Sequence, residues 1–379
     1  MNVTVICDVL GVANNGTTIA TLNLVRYLKK QGHKVTIVAN DFGSEDLTEN
    51  EKKKMPSLSL GKLADKVLAN NGVSLATPDK KILEESIQSA DVVHIQLPFL
   101  IGTNAAKIAK ELDKPLTASF HCQAENVSSH FFLVNNMNVS EVIYNTFYKS
   151  LYQYVDCVHY PTKFIRDVFE ESCGHKTNGY VISNGVNASY VNKHYEKHNE
   201  KFSIVCCGRY STEKAQHLLI EATAKCKHKD DIKLFFAGEG PLESKYRKLA
   251  EKNGVDADFS FYTRKDLIEL LNTADLYVHT AFIEIEAIAC IEAICCGLVP
   301  IINNAARSAT KSFAMDFNNL FNENDTNDLA AKLDFWYEHP EMRLEYAKKY
   351  ESMAGQFNQE DCMKRMEQML QDAIEMHKK

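Results

Sequence analysis

Positive charge is in short supply in this 379-residue sequence, where 43 Lys and Arg stand against 50 Asp and Glu for a net charge of -7. No overall basic field is therefore available to hold nucleic acid. Long apolar runs are missing too, since no stretch reaches the roughly 18 consecutive apolar residues that a membrane-spanning helix requires. The 11 cysteines include no Cys-x-x-Cys spacing, and the adjacent pairs Cys206-Cys207 and Cys295-Cys296 fall inside apolar runs. They read as reduced core thiols of a cytosolic protein rather than as disulfides or metal ligands. The dinucleotide fingerprint Gly-x-Gly-x-x-Gly is also absent. Met1-Asn2-Val3-Thr4-Val5-Ile6-Cys7 lacks a charged leader and a cleavage site, so it is expected to form a first strand.

What the chain does have is alternation. Residues 3–7, 34–39, 90–95 and 115–120 read as strands, with an amphipathic helix over 16–30 between the first two. The pattern restarts with a strand at 202–207, a helix at 216–225, a strand at 233–237, a helix at 265–271 and a strand at 276–279. Such repetition predicts an α/β protein with parallel sheets covered by helices, and the length predicts two domains. Ligands of such sheets sit at the carboxyl ends of the strands.

The most informative stretch is 282–302. It reads as an acidic loop, an apolar helix over about 287–296, a stop at Gly297 and a buried strand at 299–302. Helix N–H groups and the positive dipole end face the loop, which suits an anion. On one continuous helix Glu284 and Glu292 would lie roughly 12 Å apart, so they would serve different parts of one extended ligand. An ordinary crossover helix with acidic residues in its first turn would look similar.

Several other positions invite two readings each. Gly16 at a helix start either closes a tight turn or lets backbone N–H groups approach a diphosphate without a Cβ in the way. His121, after the strand at 115–120, either satisfies a structural hydrogen bond or orients a ligand hydroxyl at the sheet's carboxyl edge. The aromatics of 127–150, among them Phe131, Phe132, Tyr144, Phe147 and Tyr148, either fill core or line an acceptor mouth. Lys52, Lys53, Lys54, Lys62, Lys66, Lys80 and Lys81 either solvate a helix face or meet an anionic bilayer.

Glu284-x7-Glu292, Gly297 and the strand Val299-Pro300-Ile301 together resemble the signature of retaining glycosyltransferases of the family 4 type, although that family usually has Phe-Gly at Glu286 and Ala287. Gly208-Arg209-x4-Lys214 is similar to the family's diphosphate clamp. The passage from His94 to His121-x-Gln123-x-Glu125-Asn126 resembles the branch that glucosylates diacylglycerol. The resemblance spans roughly residues 1–330. It implies a GT-B fold, two Rossmann-like domains facing a cleft, with an acceptor domain at 1–185 and a nucleotide-sugar domain at 186–359. A last helix at about 360–379 would pack back on the first domain.

It also implies roles. Glu284 would contact the donor sugar and Glu292 the ribose, with backbone at Ala287, Ile288 and Ala289 binding phosphate and sugar. Arg209 and Lys214 would stabilise the departing nucleoside diphosphate, and Gly16, Gly240 and Arg264 would complete the donor site. His121 would lie beside the donor sugar, with Gln123, Glu125 and Asn126 toward the acceptor. The expected reaction moves a hexose, most simply glucose, from a UDP-sugar to diacylglycerol or another lipid with retention. No cofactor or metal is expected, because Arg209, Lys214 and helix N-termini supply the positive charge. The enzyme would be cytoplasmic, with peripheral contact to an anionic membrane surface. Assembly of a capsular or cell-wall glycan, an epimerase or phosphorylase, and an inactive nucleotide-sugar-binding protein are the competing readings.

Overall fold

Strands buried on both faces need helices above and below, and both sheets of this protein are built that way. The computed structural model describes residues 1–8, 10, 16–42, 47–59, 61, 76–125, 137–195 and 200–379. They divide into two units, Met1–Asn184 with Glu360–Lys379, and Gly185–Gln359.

The first unit holds a seven-stranded parallel sheet. Its strands are β1 (Asn2–Ile6), β2 (Lys34–Ala39), β3 (Lys52–Lys54), β4 (Val92–Ile95), β5 (Leu116–Ser119), β6 (Cys157–Tyr160) and β7 (Gly179–Val181). Their spatial order is β3-β2-β1-β4-β5-β6-β7. Register pairs Val3 with Val35 on one side and with Val92 on the other. The helix Gly16–Lys30 covers the sheet with Ala20, Leu24, Val25 and Leu28. Helix starts at Lys80–Gln88 and Lys163–Cys173 are capped by Asp79 and Thr162, and Gly174 in the left-handed region ends the second. The last helix, Gln359–His377, lays Cys362, Met363, Met366, Met369, Leu370 and Ala373 into the cluster that contains Val3, Leu24 and Val35. Each large side chain so buried contributes roughly 1.5–3 kcal/mol. His33 and Tyr27 reinforce the contact through Glu367, at 2.8 and 3.1 Å.

Two pairs of sequence readings are narrowed here. Lys52, Lys53 and Lys54 are not a helix face but the edge strand β3, because Glu51 O accepts from Ile37 N at 2.7 Å and Met55 N donates to Ala39 O at 2.8 Å. Lysines on an edge discourage pairing with a foreign strand. Tyr144 and Phe147 do not line a lipid mouth, because both are buried, with Tyr144 packed on Phe120 and Phe169. Tyr148 stacks on His175. Lys62, Lys66, Phe131 and Phe132 lie outside the described residues.

The second unit repeats the plan with β8 (Phe202–Cys207), β9 (Ile232–Ala237), β10 (Ala257–Ser260), β11 (Leu276–His279), β12 (Ile283–Glu284), β13 (Pro300–Asn303), β14 (Arg307–Ser308) and β15 (Leu320–Phe321). Six of these strands form a parallel sheet in the order β10-β9-β8-β11-β13-β15, and β12 pairs with β14. The direction of winding reverses between β8 and β11. In open parallel sheets such a reversal point, at the carboxyl ends of the strands, is where ligands bind. Arg209, Lys214 and Glu284 all follow β8 or β11. All 11 cysteines are free thiols, and Cys206, Cys207, Cys290, Cys295 and Cys296 are buried in this unit.

Candidate active site

After β8 the backbone turns at Gly208, whose φ of 143° suits glycine. The segment 208–210 is strapped to the turn after β9 by Gly208 N to Ala237 O at 3.0 Å and Tyr210 N to Glu239 O at 3.0 Å. The approach is so close that a Cβ on Gly240 would lie 2.6 Å from Tyr210 N. Gly240 therefore shapes the loop that carries Arg209. Gln216 Nε2 donates to Arg209 O at 2.9 Å and holds the same loop from below. No ion pair or side-chain hydrogen bond engages the Arg209 guanidinium among the described residues.

Lys214 ends a 3-10 turn, and its loop is stitched to the one after β11. Thr280 Oγ1 donates to Lys214 O at 2.6 Å, Phe282 N donates to Glu213 O at 3.0 Å, and Asn303 Nδ2 donates to Thr280 O at 2.9 Å. These bonds bring Lys214 Nζ onto Glu284 Oε1. His279 Nε2 reaches the same oxygen at 3.1 Å, with Tyr277 Oη behind it, 3.3 Å from His279 Nδ1. Burial alone would raise the Glu284 pKa, but the Lys214 charge and the His279 bond hold it at about 2. Burial likewise opposes the Lys214 charge, and Glu284 outweighs it, so the ammonium is held above the usual lysine range. Both groups are charged at neutral pH.

Glu284 lies in β12 and the helix begins only at Ile288, so the two glutamates do not share a helix. Ala287 sits between them at φ 63°, a left-handed conformation that costs a non-glycine residue roughly 1–2 kcal/mol. That kink aims the start of Ile288–Cys295 so that Ile288 and Ala289, both half-buried, have N–H groups without an intrahelical acceptor. Further along, burial pushes Glu292 up to about 7, opposed by the Tyr190 hydroxyl that donates to it and by the Arg264 charge. Arg264 itself is exposed at the start of Arg264–Thr273. Near neutrality Glu292 can thus both accept from and donate to a diol.

His121 follows β5 in the first unit, half-buried, with its ring edge-on to His159 at 5.6 Å. Burial, with the nearby His159 and His94, holds it well below the ordinary histidine range, so the ring is neutral. Behind it His94 Nε2 contacts Ser119 Oγ at 3.0 Å, Ser119 Oγ contacts His159 Nδ1 at 2.9 Å, and His159 Nε2 donates to Ile182 O at 2.7 Å. Gln123 is buried, Glu125 accepts from Tyr144 Oη at 2.7 Å, and Asn126 lies outside the described residues. Gly16 opens its helix with open space where a Cβ would stand, and the loop 11–15 before it is outside the described residues.

The chain's Asp-x-Asp spacing, Asp256 just before β10 and Asp258 on it, is spent on Lys201 and Lys233, each at 3.0 Å. Among the described residues no group of three or more His, Cys, Asp or Glu could hold a metal ion. Sequence reasoning missed His279, Tyr277, Thr280 and Tyr190. The one available signal was a histidine ending a strand five residues before Glu284.

Two family profiles, overlapping at residues 169–190, together match residues 14–353. The one described as Glycosyltransferase Family 4 matches residues 14–190, and the one described as Glycosyl transferases group 1 matches residues 169–353. The chain is a GT-B glycosyltransferase. As such it transfers a sugar from a nucleotide sugar, and the two parallel sheets are its Rossmann-like domains. The α-monoglucosyldiacylglycerol synthase of Streptococcus pneumoniae is 24% identical over 318 residues, 78% of this chain and 68% of its own. Anabaena HepE, crystallised in complex with UDP-glucose, superposes with a TM-score of 0.74 at 16% identity, covering 98% of this chain and 100% of that one. The catalytic domain of Helicobacter pylori cholesterol-alpha-glucosyltransferase is 46% identical, covers 40% of this glycosyltransferase and 97% of that chain, and superposes with a TM-score of only 0.38.

Proposed function

We propose that this glycosyltransferase moves glucose from UDP-glucose to a diacylglycerol-type lipid with retention at the anomeric carbon and without a metal ion. The observation that carries the donor half is the half-buried Lys214–Glu284 pair on the loops that follow β8 and β11. A fixed ammonium and a fixed carboxylate on neighbouring loops suit a ligand with a diphosphate at one end and hydroxyls at the other. The similarity to a glucosyldiacylglycerol synthase carries the lipid half.

In this reading Arg209 forks onto the diphosphate and Lys214 adds a point charge, so that negative charge developing on the leaving group is met by cations already in place. The N–H groups of Ile288 and Ala289 add the helix dipole. Glu284 accepts a hydroxyl of the hexose, Glu292 takes the ribose diol, and neutral His121 hydrogen-bonds a sugar hydroxyl. Gly16 and Gly240 shape backbone at the donor, Arg264 flanks the nucleotide, and Gln123, Glu125 and Asn126 belong to the acceptor side. A double displacement of the glycosidase kind needs two carboxyl groups about 5–5.5 Å apart across the bond. Glu284 is already committed to Lys214 and His279, which favours reaction on one face with the leaving phosphate helping to deprotonate the acceptor. Among the described residues no helix is long and apolar enough to cross a membrane. Access to a bilayer lipid would then be peripheral, with Lys52, Lys53 and Lys54 toward anionic headgroups.

The test is a screen of UDP-glucose, UDP-galactose and GDP-mannose against dioleoylglycerol vesicles and a polyprenyl phosphate, with products read by mass spectrometry. Glucosyl-diacylglycerol of α configuration supports the proposal. Transfer only to the polyprenyl carrier would move the assignment to glycan assembly, and donor binding without any transfer would mark an inactive binding protein.

A further inference from the structure

The two oxygens of Glu284 are treated differently. Oε1 receives both Lys214 Nζ and His279 Nε2, the latter at 3.1 Å, whereas no hydrogen bond reaches Oε2 among the described residues. A carboxylate held at about 2 is ionised and only accepts, so His279 Nε2 must carry the proton. The other ring nitrogen, Nδ1, lies 3.3 Å from the Tyr277 hydroxyl. Tyr277 is fully buried and His279 is 2% exposed, so the orientation of both is set by packing. The result is a continuous chain of phenol, imidazole and carboxylate.

Lys214 cannot serve Glu284 and a ligand equally. When a diphosphate enters, its oxygens compete for the ammonium, and Glu284 loses part of one of its two restraints. The imidazole has no such competitor, because it is enclosed. We propose that His279, backed by Tyr277, is a positioning residue that keeps Glu284 aimed while Lys214 turns to the diphosphate, so that Oε2 discriminates between hexoses. This rests on the nucleotide-hexose reading given above. A histidine that merely completed the core would not need a carboxylate on its outer nitrogen.

The experiment compares wild type, His279→Leu, His279→Gln and Tyr277→Phe. Donor kcat/KM is measured with UDP-glucose and UDP-galactose on lipid vesicles, and UDP binding by calorimetry. His279→Leu should lose roughly 10–100-fold in kcat/KM for the preferred hexose, the range of one hydrogen bond to a charged group, and narrow the ratio between hexoses. Its UDP affinity should stay within about twofold of wild type, because UDP has no hexose for Glu284 to hold. His279→Gln, which restores an N–H donor, should recover most of the loss. Tyr277→Phe should lose roughly 3–10-fold with UDP binding unchanged, and it carries the test if His279→Leu does not fold. A parallel fall in UDP affinity, an unchanged hexose ratio, or a glutamine variant no better than leucine would overturn the proposal. Failure of the broader reading is visible in the wild type alone, as absent UDP binding or absent transfer, and the positioning role falls with it.

Discussion

Removing the Lys214 side chain tests the site at its centre. Glu284 is held at about 2 against an ordinary 4.5. At about 1.4 kcal/mol per tenfold in proton affinity, that is roughly 3 kcal/mol of stability. Because the folded pKa is depressed, this contribution is complete above about pH 4.5 and is lost as pH falls toward 2. In Lys214→Ala the carboxylate keeps only His279, and leaving one partner of a fully buried pair alone costs about 3–5 kcal/mol, an upper bound for this half-buried one. Burial should then lift Glu284 above its unfolded value, which reverses the sign, so the variant loses stability as pH rises through the neutral range. Trp336, the single tryptophan, is buried in the second unit with Nε1 donating to Asn318 O at 2.9 Å, so its fluorescence reports unfolding of that unit alone. Urea titrations between pH 4 and 8 should show the gap between wild type and variant widening with pH. Adding Glu284→Gln should restore most of the stability and none of the turnover, since the uncompensated charge is gone but the clamp is not rebuilt. Equal stability of Lys214→Ala and wild type at pH 7, or a gap that shrinks as pH rises, would refute this account of the pair.

Arg209→Ala should cut turnover by roughly 100–1,000-fold and shift stability by less than about 0.5 kcal/mol, because its guanidinium stabilises no described partner; steady-state rates beside urea curves check both. Activity should survive EDTA, and a loss reversed only by added magnesium or manganese would end the metal-free mechanism. Replacing Lys52, Lys53 and Lys54 together by Glu should weaken sedimentation with anionic vesicles and transfer to diacylglycerol while sparing UDP binding. Wild-type sedimentation should itself decline with salt as the Debye length shrinks, and equal binding to neutral vesicles would remove the electrostatic contribution.

The alternation of apolar strands with amphipathic helices was readable without coordinates, because both periodicities are local. β1, β4 and β5 are mostly apolar or small since both faces are covered, and 16–30 repeats Ala20, Leu24 and Leu28 at helical spacing. Gly208-Arg209-x4-Lys214 and Glu284-x7-Glu292 were equally legible as motifs at strand ends. What they do to one another was not. Lys214 and Glu284 are 70 residues apart and meet only because β8 and β11 are neighbours whose loops are bonded through Thr280 and Phe282. The same adjacency enlists His279 and Tyr277, which as a sequence are two ordinary residues of a strand. Lys52–Lys54 became a strand for a related reason, since β2 had unpaired backbone groups to offer, and three lysines carry no local signal for that. Tyr144 and Phe147 look alike as lipid contacts or as core, and only the Phe120 and Phe169 rings packed around Tyr144 decide. Local pattern determines which elements form, whereas which side chains share a charge depends on the order in which strands lie beside each other.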